Sequence, residues 1–414
     1  MVNDSLMELE DAIRLLAEHT PEIGTEQVAL EEACGRVLAE PLIARLQLPP
    51  FRRAAMDGYA VYSDDLAPLE RGESVMLRRS GELRPGMGAN GAGTSGFGTT
   101  LRIFTGAPVP PGYDRVVMQE AVVLLKDGRV NIQRLAGSQS HIAEAGEDVP
   151  AGKKLIGGGM RLRARHIALL ASDGRDAAVV RQKPRVSVIP IGSELCEPGK
   201  PLGEAAIYDS NGFMLAARLR ELGAEVRRYA PVADDPEQLA FAIREAAVNS
   251  DLVVTAGGVS VGDCDYAHEA ARLAGGMPVI QKVRMRPGTP TSVYGLPGGK
   301  LLAALSGNPS ACHAGMELLV RPLVLKLAGR IDWQPHWRSG RLGAAIRKPC
   351  PYPRYIRASL LEEAGSEPLL MPLPGDRSGN VAAFASTDAL VRIPAGGRGA
   401  DEGELIRWIG LSGD

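Results

Sequence analysis

Through the middle of the chain, short runs of wholly apolar residues alternate with longer segments whose apolar positions recur every three or four residues. Val186–Ile191, Asp251–Thr255 and Leu301–Leu305 have the length and aliphatic content of strands buried on both faces. Asn211–Leu222, Pro236–Val248 and Ala267–Leu273 carry the helical period, and Asn308–Leu327 reads as a long closing helix. Glu225–Tyr229 and Val279–Met285 complete the set as further strands. Strands alternating with helices at this spacing imply parallel pairing and a doubly wound, mostly parallel α/β domain.

The flanks follow other rhythms. Leu6–Ala17 is amphipathic and predicts a helix, and Val28–Ile43 is a mixed segment broken at Cys34-Gly35. From Pro49 to Gly146 the short runs Tyr59–Tyr62, Leu101–Phe104, Arg115–Gln119, Ala121–Leu125 and Val130–Gln133 are separated by Gly, Pro and Asp turns. That pattern predicts a small all-β module. Its glycine-rich stretch Gly86–Gly98 has no strand-to-helix context and reads as a surface excursion. Gly152–Val180 holds a strand-like piece and a short helix, Ala164–Ser172, and turn-separated strands return from Ile331. The expected fold class is therefore multidomain α/β plus all-β. Its predicted parts are 1–48 with 147–182 (mixed α/β), 49–146 (β-rich), 183–329 (α/β) and 330–414 (barrel-like β).

Composition narrows the picture only a little. A chain of 414 residues is too long for one core. A net charge of −2 gives no global attraction for nucleic acid or an anionic membrane, so any anion site must be built locally. The five cysteines form no C-x-x-C pair, which argues against a disulfide framework or a zinc knuckle. The acidic N-terminus is unlike a signal peptide, and no apolar run approaches the ~20 residues needed to span a bilayer. A cytoplasmic protein is expected.

Candidate chemistry gathers where the predicted strands end. If the three apolar strands lie parallel in one sheet, their carboxyl ends share an edge, which is where such sheets bind ligands. The exits are Gly192-Ser193-Glu194, then Gly257-Gly258-Val-Ser260-Val-Gly262-Asp263-Cys-Asp265, then Ser306-Gly307-Asn308-Pro309. Glycines allow a ligand to approach the backbone, and Asn308-Pro309 suits a helix start facing an anion. Tyr208-Asp209-Ser210-Asn211 and Asp234-Asp235 add acidic groups, which singly are most simply N-caps. In Lys282-Val-Arg284-Met-Arg286 a strand would place three cations on one face. Carboxylates beside cations at a sheet edge suit a phosphorylated ligand held with Mg²⁺. No P-loop, dinucleotide fingerprint, nucleophile elbow or ligand-spaced histidine pair is present.

Several motifs in order resemble one family. They are Met56-Asp-Gly-Tyr-Ala60, Phe104-Thr-Gly-Ala-Pro-Val109, Ala145-Gly-Glu-Asp148, Ile207-Tyr-Asp-Ser-Asn211, Gly257–Tyr266, Arg286-Pro-Gly288 and Ser306-Gly-Asn-Pro309. Together they resemble the MoeA-type molybdopterin molybdenumtransferases, relatives of the gephyrin C-terminal domain, over roughly Leu6 to Ile409. The resemblance implies insertion of molybdenum from molybdate into adenylylated molybdopterin, with release of AMP and with Mg²⁺ or a similar divalent ion. It also implies a homodimer, and partners among molybdopterin adenylyltransferases and molybdoenzyme maturation proteins. By the same resemblance Asp57, Thr105 and Asp148 would act from the lid, and Glu194, Asp234 and Asp265 would hold metal and ligand. Lys282, Arg286, Arg357 and Ser378 would complete the catalytic set. Gly257, Gly258, Ser260, Gly262, Asp209, Asn211, Gly307 and Asn308 would line the pterin and nucleotide site. The chain departs from the family pattern at Ser193 (a carboxylate lost), Arg286 (for Lys), Thr289 (a cation lost), Ser306 and Ala382-Ala383. An insertase is therefore weighed against a diverged molybdopterin-binding carrier or scaffold.

Overall fold

The computed structural model describes residues 6–88, 96–135, 137–259, 266–362, 367–374 and 379–411. The chain divides into two compact units, Met1–Glu40 with Gly158–Arg163 and Ala177–Asp414, and Pro41–Gly157 with Ala164–Asp176.

In the first unit a six-stranded sheet runs in the order Glu225–Arg228, Arg185–Pro190, Leu252–Ala256, Lys300–Leu305, Ser292–Leu296, Met277–Ile280. The first four strands are parallel, and each of the last two is antiparallel to the strand before it. Period two along each strand sorts the apolar side chains between two cores. Ile189, Val253, Leu302 and Ala304 pack against Leu239 and Ile243 of helix Pro236–Val248 and the alanines of helix Tyr266–Leu273. Val188, Val254, Ala303 and Leu305 face Leu215 and Leu219 of helix Ser210–Glu221, the N-terminal helix Leu9–His19 and the closing helices. With both faces covered, these strands can be apolar throughout, which is why they stand out as unbroken runs. The closing helix comprises Pro309–Gly315, a π turn at Met316–Val320 and Arg321–Leu327.

At the amino edge of this sheet, Asp251 is bonded to Arg185 (3.0 Å) and to Lys300 Nζ (3.2 Å). Burial pushes its carboxyl up, but these bonds outweigh it and hold the group below the usual range.

Two strand expectations are corrected. Ser292–Leu296 is an additional strand, returning through the Pro297-Gly298-Gly299 turn. The expected strand Val279–Met285 ends at Ile280. Val283 and Met285 still point into the core, but the backbone leaves the sheet. Arg284 N–H donates to Met7 O (2.8 Å), Val283 N–H to Thr289 O (3.0 Å) and Arg286 N–H to Pro353 O (3.0 Å). The cations therefore sit on an irregular crossing segment whose backbone bonds are made elsewhere.

The C-terminal part of this unit is a closed barrel of Arg338–Leu342, Leu369–Pro372, Arg354–Leu361, Ala389–Ile393 and Leu405–Gly410 around Trp408, Leu370 and Val391. Closure removes exposed strand edges. The second unit is built on a mixed six-stranded sheet ordered Arg115–Met118, Gly58–Val61, Thr99–Ile103, Val75–Leu83, Arg129–Ile132, Val122–Leu124. The strand Val75–Leu83 escaped the sequence reading because its exposed positions include Arg78 and Arg79, which break the apolar alternation. The expected multidomain α/β plus all-β class is borne out, down to the C-terminal barrel.

Candidate active site

Parallel register aligns the strand ends, pairing Pro190 with Ala256 and Ala256 with Leu305. Ile191–Glu194, Gly257-Gly258 and Ser306–Asn308 thus leave the sheet at one edge. Gly257 has φ +114°, and a Cβ there would lie 2.2 Å from Ile191 O. Its N–H donates to Leu305 O (2.9 Å), and a Cβ on Gly307 would lie 3.3 Å from Gly257 Cα. The floor of the site is backbone laid on backbone, which only glycine permits. Ser260, Gly262, Asp263 and Asp265 lie outside the described residues.

Two of the expected carboxylates come together beside this floor. Ser193 N–H donates to Asp234 Oδ2 (2.9 Å) while Asp234 N–H donates to Ser193 Oγ (3.3 Å), a reciprocal clamp. Gly192 N–H to Val232 O (3.0 Å) fastens the same pair of loops. Glu194 folds back over Gly192, where an added Cβ would lie 2.6 Å from its Oε2. Ser193, where the family pattern has a carboxylate, therefore orients one instead. Asp235 caps its helix through Gln238 N–H (2.8 Å), which leaves Asp234 as the loop's outward acid. The Glu194 carboxylate and Asp234 Oδ1 accept no hydrogen bond among the described residues, while the Glu194 carbonyl takes Ile207 N–H (2.9 Å), so hard anionic oxygens remain open for a divalent cation. Among the described residues no third acidic, His or Cys group joins them.

Asp209 and Asn211 divide their work. Asp209 is only 1% exposed; it caps helix Ser210–Glu221 through Gly212 N–H (2.7 Å) and takes Arg228 Nη1 at 3.0 Å. Burial pushes its carboxyl up, further than those bonds pull it down. Asn211 instead reaches the exits, donating from Nδ2 to Gly307 O (2.7 Å). Its Oδ1, Asn308 Oδ1 and Thr255 Oγ1 are buried without a hydrogen-bond partner. Buried orphan polar atoms are uncommon, and the two asparagine oxygens, one at the start of helix Ser210–Glu221 and one at the exit of strand Lys300–Leu305, mark a place for a ligand. Thr255 lies inside strand Leu252–Ala256, 0% exposed between Ile189 and Ala304. Asn308 occupies the N-cap position, but its side chain bonds none of the helix amides.

The cations are less concentrated than the sequence suggested. Lys282 joins Met7 through its backbone, Arg284 pairs with Glu8 (2.9 Å) and Arg286 is exposed. Thr289 Oγ1 donates to Met285 O (2.6 Å). Arg357 is 2% exposed in the barrel, donating to Asn380 O (2.9 Å) and lying 4.9 Å from the Phe384 ring centroid. That ring lies 5.1 Å from, and tilted by 43° to, the ring of His313 in the helix that Asn308 begins. Ser378 lies outside the described residues.

In the second unit, the Thr105 amide (2.8 Å) and hydroxyl (2.7 Å) both donate to Asp57 Oδ1. These two bonds, with a smaller contribution from the Arg102 charge, hold the Asp57 carboxyl below its ordinary range. A Cβ on Gly58 would lie 2.1 Å from Val117 O, so the residue after Asp57 must be glycine. Asp148 is exposed on a loop whose backbone pairs with Leu48 (3.0 Å), and no bond joins it to Asp57. Arg102 and the Ser193 clamp were not picked out from sequence. The only local hint of the former was its place three residues before Thr105.

Comparison with known proteins covers nearly the whole chain. Residues 7–174 match a family model described as the MoeA N-terminal region (domain I and II). Residues 187–326 match a probable molybdopterin binding domain, and 339–411 the MoeA C-terminal region (domain IV). Curated relatives include the molybdopterin molybdenumtransferases of Staphylococcus epidermidis and Staphylococcus aureus. Each is 34% identical over 404 residues, covering 97% of this chain and 94% of the relative. Among solved structures, a molybdopterin biosynthesis MoeA protein from Pyrococcus horikoshii superposes with a TM-score of 0.84 at 30% identity. That match covers 99% of this chain and 100% of the other.

Proposed function

The chain belongs to the MoeA family of molybdopterin molybdenumtransferases, and from that premise we propose that it inserts molybdenum from molybdate into adenylylated molybdopterin, releasing AMP and the finished cofactor. The observation that carries this reading is the glycine floor rimmed by two orphaned buried asparagine oxygens, Asn211 Oδ1 and Asn308 Oδ1, on the sheet edge that Glu194 and Asp234 share. The two asparagine acceptors ask for N–H donors, which the rings of a pterin or an adenine present. The carrier alternative is not favoured, because the curated relatives matched over 97% of the chain are transferases.

Each group then has a role. Asn211 and Asn308 would orient the bound rings, and Gly257, Gly258 and Gly307 would let them lie against the backbone. Glu194 and Asp234, joined by Asp265, would hold Mg²⁺, which when bound neutralises phosphate charge. Lys282, Arg286, Arg357 and Ser378 are proposed for the oxyanions of phosphate and molybdate. Asp57, Thr105 and Asp148, all in the second unit, are proposed as further catalytic residues. Positioning and electrostatic stabilisation would supply most of the rate. We also propose a cytoplasmic homodimer, docking to the adenylyltransferase that makes the substrate and to maturation proteins that take the product. The four-part division at 48, 146, 182 and 329 is offered in the same sense.

The test is incubation of the purified protein with adenylylated molybdopterin, molybdate and Mg²⁺. AMP should appear in step with active cofactor. Tight pterin binding without AMP release would overturn the insertase and leave the carrier.

A further inference from the structure

We propose that Arg102 is a positioning residue for the Asp57–Thr105 pair, an assignment that rests on the proposed role of that pair in the insertase reaction. Arg102 lies in strand Thr99–Ile103, directly opposite Tyr59 in strand Gly58–Val61. Its guanidinium donates from Nη1 to Gly58 O (3.1 Å) and from Nη2 to Gln119 Oε1 (2.6 Å). The same group lies 5.1 Å from the Tyr59 ring centroid and 4.7 Å from that of Phe104. Gln119 N–H in turn donates to Asp57 O (3.1 Å). One guanidinium therefore grips the carbonyl of Gly58, the residue after Asp57, and the side chain of Gln119, whose N–H bonds Asp57's own carbonyl. It also lies against Phe104, the residue before Thr105. Both partners of the Asp57–Thr105 contact are referenced to one rigid planar group.

Among the described residues no carboxylate pairs directly with Arg102, and its hydrogen bonds go to uncharged oxygens. The neighbouring acid Glu82 is occupied by Arg79 (2.7 Å) and Arg84 (2.7 Å), and Glu120 by Gln119 Nε2 (3.3 Å). Arg84 lies 5.0 Å from the Phe104 ring centroid, bringing a second cation to the cluster. The field of Arg102 falls on Asp57, adding to the larger effect of the two Thr105 bonds in the direction that keeps it ionised, and it falls on Glu82 as well. Lysine could supply that charge but not the planar fork that reaches two acceptors at once.

The test compares Arg102→Met, Arg102→Lys, Gln119→Ala and Asp57→Asn in the full-length protein by AMP release across pH. Arg102→Met should lower kcat by roughly 10–100-fold, as expected for a displaced reacting group, with KM near that of the wild type. Its acid-side inflection should move to higher pH. Arg102→Lys should restore the inflection but not kcat, and Gln119→Ala should fall between. Arg102→Met with a lowered Tm but unchanged kcat and pH profile would overturn the proposal. Full activity of Arg102→Met beside an inactive Asp57→Asn would overturn it while sparing the role of Asp57. A fully active Asp57→Asn would instead remove the pair, and the reading beneath it.

Discussion

Gly257→Ala probes the floor of the site most directly. Two costs follow from its geometry. At φ +114° a side chain adds backbone strain of about 1–2 kcal/mol. The new Cβ would also stand 2.2 Å from Ile191 O and 3.1 Å from Ile191 C, so the strand exit must move to admit it. Overpacking of that kind costs about 1–3 kcal/mol, giving roughly 2–5 kcal/mol in all. The atom displaced is the carbonyl immediately before Gly192-Ser193-Glu194, so part of the strain passes into the clamp that orients Asp234. Gly298→Ala is the matched control, with φ +75° and nothing within 4 Å of the added Cβ. It should cost only the strain of about 1–2 kcal/mol, and no activity. Urea unfolding of both variants, with AMP release measured under native conditions, separates the two terms. Equal destabilisation of the pair, or a Gly257→Ala enzyme with wild-type turnover, would refute the idea that backbone contact at Ile191 builds the site.

Further predictions test other parts. Thr105→Val removes one of the two bonds that lower the Asp57 carboxyl, so the acid limb of the rate profile should move to higher pH; an unmoved limb would take Asp57 out of the rate. Asp234→Asn should raise the Mg²⁺ concentration needed for half-maximal activity with little change in Tm, and an unchanged Mg²⁺ titration would remove Asp234 from the metal set. Glu317, 1% exposed, holds Arg218 (2.7 Å) and Arg321 (3.3 Å) between the site helices. Glu317→Ala should lose about 3–5 kcal/mol by urea unfolding, and Arg218→Met combined with Glu317→Leu much less. A double variant as unstable as the single one would contradict that account.

Much of the site could be read before the fold, and the reasons are local. Helix Pro236–Val248 was expected at its observed bounds because an Asp cap, a Pro at the first turn and an uninterrupted period all lie within one segment. The exits Gly192–Glu194, Gly257-Gly258 and Ser306–Asn308 were expected on one edge because alternating strands and helices leave little choice but parallel pairing. The segment after Ile280 failed for the opposite reason. Its alternation is real, since Val283 and Met285 are buried, yet its hydrogen-bond partners are Met7, Thr289 and Pro353, which no local pattern announces.

Sequence by itself, then, determined most of the elements, the family and the edge where chemistry collects, because propensity, periodicity and glycine content act over a few residues. Tertiary structure decided which polar atoms are used up in building the protein and which are left for a ligand. Asp209 and Asn211 are two residues apart, yet the first is consumed by Gly212 and Arg228 while the second reaches Gly307, 96 positions away. Ser193 became the partner of Asp234 across 41 positions, and Arg102 the brace of Asp57 through Gly58 and Gln119. Hydrogen bonds are short-ranged and directional, so their partners are set only when register brings distant segments within about 3 Å.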